Sequence, residues 1–92
     1  MRITFDPLKR AATLEHRGLD FEDARRIFAG AYLMIEDDRR DYGETRWQSI
    51  GRLSGDLVMV VWTARGDARH IISMRKCNER ERKRHLDRLY RS

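Results

Sequence analysis

The sequence predicts an α+β fold: an antiparallel β-sheet with two N-terminal helices packed on one face and a further helix at the C-terminus. Three observations carry this. Apolar residues recur at helical spacing between residues 7 and 29, then alternate or run together between residues 31 and 76. Tight-turn signals, Ser54-Gly55-Asp56 and Arg65-Gly66-Asp67, interrupt that second stretch. Such turns make at least the last three strands antiparallel, and two amphipathic helices need a sheet to cover. The predicted order is β-α-α-β-β-β-β-α, in a single domain over residues 1–92.

Residues 2–6 (Arg2-Ile3-Thr4-Phe5-Asp6) alternate polar and apolar, as a short half-buried strand does. Asp6 suits the N-cap of a helix that begins at Pro7, where the missing N–H costs no hydrogen bond. Leu8, Ala11 and Ala12 share one face of that helix, and Gly18 supplies the left-handed residue that ends it. A second helix has Asp20 as N-cap and Glu22 and Asp23 near the positive end of its dipole. Phe21, Ala24, Ile27 and Phe28 form its buried stripe, and Gly30 stops it. Ala31 to Glu36 reads as a strand, Asp37 to Thr45 as a charged loop, and Arg46 to Leu53 as an alternating strand. Leu57 to Thr63 is almost entirely apolar, which marks a central strand covered on both faces. Ala68 to Lys76 is the last strand. Asn78 and Glu81 form a capping box that opens a charged helix, whose apolar side is only Leu86, Leu89 and Tyr90. The sheet face away from the first two helices is left to solvent or to a ligand.

A 92-residue chain buries roughly 60–65% of its unfolded surface, so its core is thin and its chemistry belongs on an open face. Charged residues make up 38% of it, with a formal net charge of +5 and a pI near 10.0. Arginine dominates the basic set, and its planar fork holds phosphate at two points. RNA or DNA is therefore the first partner to consider. Cys77 is the single cysteine, so no internal disulfide forms. His16, His70 and His85 are far apart and form no cluster with metal-ligand spacing, so neither metal nor cofactor is expected. No apolar run reaches membrane-spanning length and no secretory signal is present, so no membrane contact is expected and a cytoplasmic location is.

Four blocks keep a recognisable order and spacing. They are Phe5-Asp6-Pro7 with Lys9; Gly18-Leu19-Asp20-Phe21-Glu22-Asp23-Ala24 with Phe28; Gly43-Glu44-Thr45-Arg46 with Ile50-Gly51; and Thr63-Ala64-Arg65-Gly66-Asp67 with Ile71-Ile72-Ser73-Met74-Arg75-Lys76. Over nearly the whole chain they resemble the BrnT toxins of type II toxin–antitoxin systems, within the RelE-like ribonuclease group. The resemblance implies a RelE-like fold and RNA cleavage that inhibits translation, with ribosome-associated mRNA among the substrates. It also implies neutralisation by a cognate antitoxin with a ribbon-helix-helix DNA-binding part. The complex then represses its own operon, touching operator DNA only through the antitoxin. Two departures stand out. Many members have Lys-His-Gly at the end of the first helix, where this chain has His16-Arg17-Gly18; one position on a helix turns a side chain by about 100°. Met74 stands where relatives often have a smaller residue, a packing difference.

Metal-free RNA cleavage uses the ribose 2′-hydroxyl as nucleophile and leaves a 2′,3′-cyclic phosphate. It needs a base, a proton donor for the 5′-oxygen and cations for the phosphate. Arg46, Arg65 and Arg75, at the ends of strands and at a turn, are the candidates for the cations. Glu44 is the candidate base or orienting carboxylate, or else a surface ion-pair partner of Arg46. His70 and His16 are the candidate acid–base histidines. By strict alternation His70 points to the face opposite Arg69, Ser73 and Arg75, which separates it from them. Arg52, Arg69, Ser73 and Lys76 are candidates for flanking contacts to RNA. Trp47 and Tyr32 could stack on a base, whereas Trp62 reads as core. Cys77 reads as an inert thiol and Arg65-Gly66-Asp67 as a turn. The C-terminal helix, Arg80 to Arg91, is either an RNA-backbone contact or a surface the antitoxin covers. The alternative to a ribonuclease is a non-catalytic nucleic-acid-binding module, or a degenerate toxin, that acts with its partner in operon autorepression.

Overall fold

The computed structural model describes residues 1–91. Strands β1 (Arg2–Phe5), β2 (Tyr32–Glu36), β3 (Trp47–Leu53), β4 (Asp56–Arg65) and β5 (Ala68–Lys76) form one five-stranded sheet in the order β1-β5-β4-β3-β2. The pairs β2–β3, β3–β4 and β4–β5 are antiparallel, as the turn signals require. β1 is different: it lies parallel to β5, Arg2 to Phe5 against Ala68 to Ile71. The sheet is therefore mixed rather than antiparallel throughout.

The helices are α1 (Pro7–Arg17), α2 (Ala24–Ala29) and α3 (Glu79–Arg91). Asp6 caps α1 by accepting the Leu8 N–H at 2.9 Å, and Gly18 ends it at φ 67°, a left-handed conformation that glycine takes without steric cost. Asp20 accepts the Glu22 N–H at 3.0 Å and a bidentate Arg10 at 2.8 and 3.0 Å. This tight anchoring gives a single 3₁₀ turn, Phe21–Asp23, before α2 starts. The second helix is correspondingly shorter than its cap residue suggested.

One core lies under this turn and α2. Phe21, Ala24, Ile27 and Phe28 pack with Val58, Val60, Trp62, Ile71 and Met74 of the sheet. Phe21 and Ile27 are almost fully enclosed, a burial that stabilises by about 1.5–3 kcal/mol for each side chain. α2 approaches β3 so closely that a Cβ on Gly51 would sit 2.8 Å from the Ile27 Cγ2. α1 behaves otherwise. None of its residues is buried, and Leu8 is 81% exposed. It does not lie on the sheet face through an apolar stripe. Instead it runs beside β5 where β1 has ended, and the Arg17 guanidinium donates to the Met74 carbonyl at 2.8 Å.

The opposite face is not open throughout, contrary to the sequence reading. Ile50, Leu57, Met59, Val61 and Cys77 form a second core with Leu89 of α3. The capping box is present, with Asn78 and Glu81 each accepting the other's backbone N–H at 2.9 Å. The same Glu81 takes both terminal nitrogens of Arg75 at 2.7 Å, tying the helix to β5. At the far end the Arg52 guanidinium lies 4.6 Å from the Tyr90 ring centre. His85 is buried between these anchors on the helix, and its Nδ1 has no hydrogen-bond partner among the described residues.

Candidate active site

The register of β4 against β5 decides which side chains share a face. Val61 pairs with Ser73 and Trp62 with Ile71, so Ile72 is an extra residue that opposes nothing. This is a β-bulge, and it reverses the alternation beyond it. His70, paired with Thr63, and Ser73, paired with Val61, therefore lie on one face of the sheet, together with Arg75, which pairs with Met59. Arg69 is the residue that ends up apart. It pairs with Ala64 on the other face, 4.4 Å from the Phe28 ring centre and 4.7 Å from that of Trp62, and it donates to the Tyr32 hydroxyl. The strict alternation read from the sequence, with His70 alone and Arg69 beside Ser73 and Arg75, is thus corrected.

Between α1 and β5 lies a groove of about 270 Å³, lined by Lys9, Ala12, Thr13, His16, Arg17, Ile72 and Ser73. β1 is too short to cover this part of β5, which is why the groove exists. Just beyond it, His70 Nδ1 is 2.9 Å from the Thr4 hydroxyl, which fixes the ring. Burial lowers the His70 pKa, and the positive charge of Arg65 lowers it further; Glu44 opposes this weakly. The imidazole is therefore neutral near pH 7 and able to take up a proton. Arg65, Glu44, Lys9 and Asp6 are all close enough to act on it electrostatically.

Glu44 and Arg46 form an ion pair at 3.0 Å, and the Arg46 guanidinium stacks 4.0 Å from the Tyr42 ring centre. The loop that carries them is anchored by Asp37, whose buried carboxylate accepts Arg39 at 2.7 and 2.8 Å and is held below the usual carboxylate range by it. Arg75 is engaged by Glu81 and half-buried. Arg52 lies under Tyr90 at the end that α3 covers, and Lys76 pairs with Asp56 at 3.3 Å. Trp62 is core, with its indole N–H on Ser49 at 2.8 Å, while Trp47 is partly buried against the first core. The Cys77 thiol is buried, and burial pushes its pKa up to about 11. Among the described residues no three His, Cys, Asp or Glu side chains gather in a way that could hold a metal, and no helix is long and apolar enough to cross a membrane.

The structure thus gathers Glu44, Arg65 and His70 at one end, and His16 with Ser73 in the adjoining groove. It sets Arg69, Arg52 and Lys76 apart. Lys9, Thr13, Arg17 and Thr4 were not among the sequence candidates. Lys9, Thr13 and His16 fall at i, i+4 and i+7 on one helical face, a spacing visible in the sequence. Nothing local announced Thr4, because its partner is at the other end of the chain.

Residues 5–81 match the family model described as "Ribonuclease toxin, BrnT, of type II toxin-antitoxin system". The chain belongs to the BrnT family. It is accordingly a ribonuclease toxin of a type II system, with an antitoxin as its cognate partner. No curated protein matches it. The BrnT match covers α1 and β5, which enclose the groove, and it stops at the first turn of α3.

Proposed function

We propose that this BrnT toxin is a metal-independent endoribonuclease of RelE-like fold that works at the α1–β5 groove and inhibits translation in the cytoplasm. The observation that carries this is the bulge at Ile72, which puts a neutral histidine on the same face as Ser73 and Arg75, next to Arg65. His70 takes the proton of the ribose 2′-hydroxyl, with Thr4 holding the ring through Nδ1. Arg65 and Lys9 offset the charge that develops on the phosphate, and Ser73 hydrogen-bonds it. Arg46, whose Nε is held by Glu44, keeps terminal N–H groups for a neighbouring phosphate. His16, in the groove, is our candidate donor to the departing 5′-oxygen. The products are a 2′,3′-cyclic phosphate and a free 5′-hydroxyl. The cognate antitoxin, of ribbon-helix-helix type, neutralises the toxin and supplies the DNA contacts of autorepression.

The test is RNA cleavage in excess chelator, with end-group analysis of the products. His70→Ala should lower the rate by about 10²–10⁴ with the fold intact. The wild-type kcat/KM should fall on acidification through a pKa below the ordinary histidine value, because the neutral His70 ring is the form that takes up the proton. Wild-type rates in both His70→Ala and Arg65→Ala would remove the site. RNA binding without any cleavage product would replace the enzyme with a binding module.

A further inference from the structure

We infer that one flank of α3 is a second RNA contact, a row of three guanidinium groups that holds the phosphate backbone of a single strand outside the groove. The inference rests on the ribonuclease reading for its choice of polyanion. Arg80, Arg84 and Arg88 follow one another at i, i+4 and i+8, all exposed. That spacing stacks them along one side of the helix about 6 Å apart. The interval is close to that between successive phosphates of a nucleic-acid strand.

Among the described residues none of the three has an ion pair, whereas the same helix pairs Lys83 with Glu79 at 3.6 Å and Arg91 with Asp87 at 3.3 Å; Arg82, which has no ion pair there either, lies off the row. Like charges at i, i+4 destabilise a helix by about 0.2–0.5 kcal/mol per pair, so the row works against the helix that bears it. A bound polyanion would reverse that cost. The helix holds six basic residues against three acidic ones, more than half of the excess charge in a chain of net +5. Its first turn is tied to β5 through Arg75 and Glu81, so the row starts beside the strand whose Ser73 lines the groove. Arg84 and Arg88 lie beyond residue 81, where the family match ends.

The experiment uses the full chain and a fluorescent 2′-O-methyl RNA 20-mer, which cannot be cleaved because its 2′-oxygens are blocked. Binding is followed by anisotropy at several salt concentrations. Each phosphate neutralised on a single strand contributes about 0.7 to the slope of log K against log salt. The variant Arg80→Gln, Arg84→Gln, Arg88→Gln should flatten that slope by about 2 and leave the circular dichroism spectrum unchanged, since glutamine matches arginine in helix propensity. Cleavage of a trinucleotide too short to reach α3 should be unaffected. If the triple variant does not fold, Arg84→Gln alone should flatten the slope by about 0.7. A control, Lys83→Gln with Arg91→Gln, removes two charges outside the row and should change the slope less per charge. An unchanged slope in the row variant, or an equal loss per charge in the control, overturns the proposal. So does a row variant that keeps its RNA affinity but loses binding to a polyglutamate peptide, which would assign the row to an acidic protein segment. Because the probe is inert, the result stands whether or not the protein cleaves RNA.

Discussion

The Glu81 carboxylate is where two requirements meet in one side chain. It closes the capping box of α3 and it also holds Arg75. The Arg75 hydrogen bonds lower its pKa to about 2 from an ordinary 4.5. The lowered value means that the pair stabilises the fold fully above about pH 4.5 and that this contribution is lost as pH falls toward about 2. Glu81→Gln should therefore cost about 1.5–3 kcal/mol in a urea melt at pH 7, the range for hydrogen bonds to charged groups, and progressively less on acidification. A variant melt that parallels the wild type at all pH values would show that the pair does not secure the helix. His85, one turn further on, pulls the same way. Burial lowers its pKa, with the neighbouring Arg84 and Arg88 adding to the effect, so protonation is resisted in the folded state. Stability from this group is complete above the ordinary histidine value and declines below it.

At the scale of elements, α3 is docked through few apolar contacts and several polar ones. Only His85 and Leu89 are buried along it. His85 leaves Nδ1 without a partner among the described residues, a deficit of about 1–3 kcal/mol. His85→Leu is expected to raise the melting temperature at pH 7 and to raise it more at pH 5, where the native histidine adds a protonation cost. Equal gains at both pH values would mean that the ring is not sheltered. What the sequence disclosed about elements was local in origin. The Asp6 and Gly18 limits of α1, the stripe of α2, the hairpins and the capping box of α3 all depend on residues a few positions apart. The parallel partner of β1, the docking of α3 on the second face and the bulge at Ile72 depend on distant strands, so no local pattern encoded them. The site shows the same division. The residue types Glu44, Arg65 and His70 were legible as chemistry, while their grouping required the register of β4 and β5. The apolar side of α1 misled, because Leu8 and its neighbours lie beside a sheet edge rather than on a face.

For the whole molecule, the sheet separates two cores of different construction. One is closed by the 3₁₀ turn and α2, the other by a helix that the family match barely includes. Cys77 belongs to the second and sits at the joint between β5 and α3, with its N–H on the Leu57 carbonyl at 2.8 Å. Its thiol is buried and its pKa is raised to about 11, so it reacts only when α3 lifts. Labelling of the native protein by a water-soluble disulfide reagent should be at least tenfold slower than in denaturant, and Glu81→Gln should speed it. Labelling at the denatured rate would mean that the helix does not shield this core. The groove side needs no such opening, since no residue of α1 is buried and Lys9, Thr13 and His16 line the groove.

The unmatched residue Ile72 has a consequence for how relatives of this chain are compared. A gap of one position inside a strand ordinarily exchanges the two sides of everything beyond it, yet a gap at Ile72 removes the one residue without a partner and exchanges nothing. Deleting Ile72 would remove the bulge and leave His70, Ser73 and Arg75 at alternate positions of a regular strand, still on one face, as Ile72→Ala would. An alignment that carries strict alternation through positions 70 to 73 would part these groups, whereas one that sets Ile72 aside keeps them together.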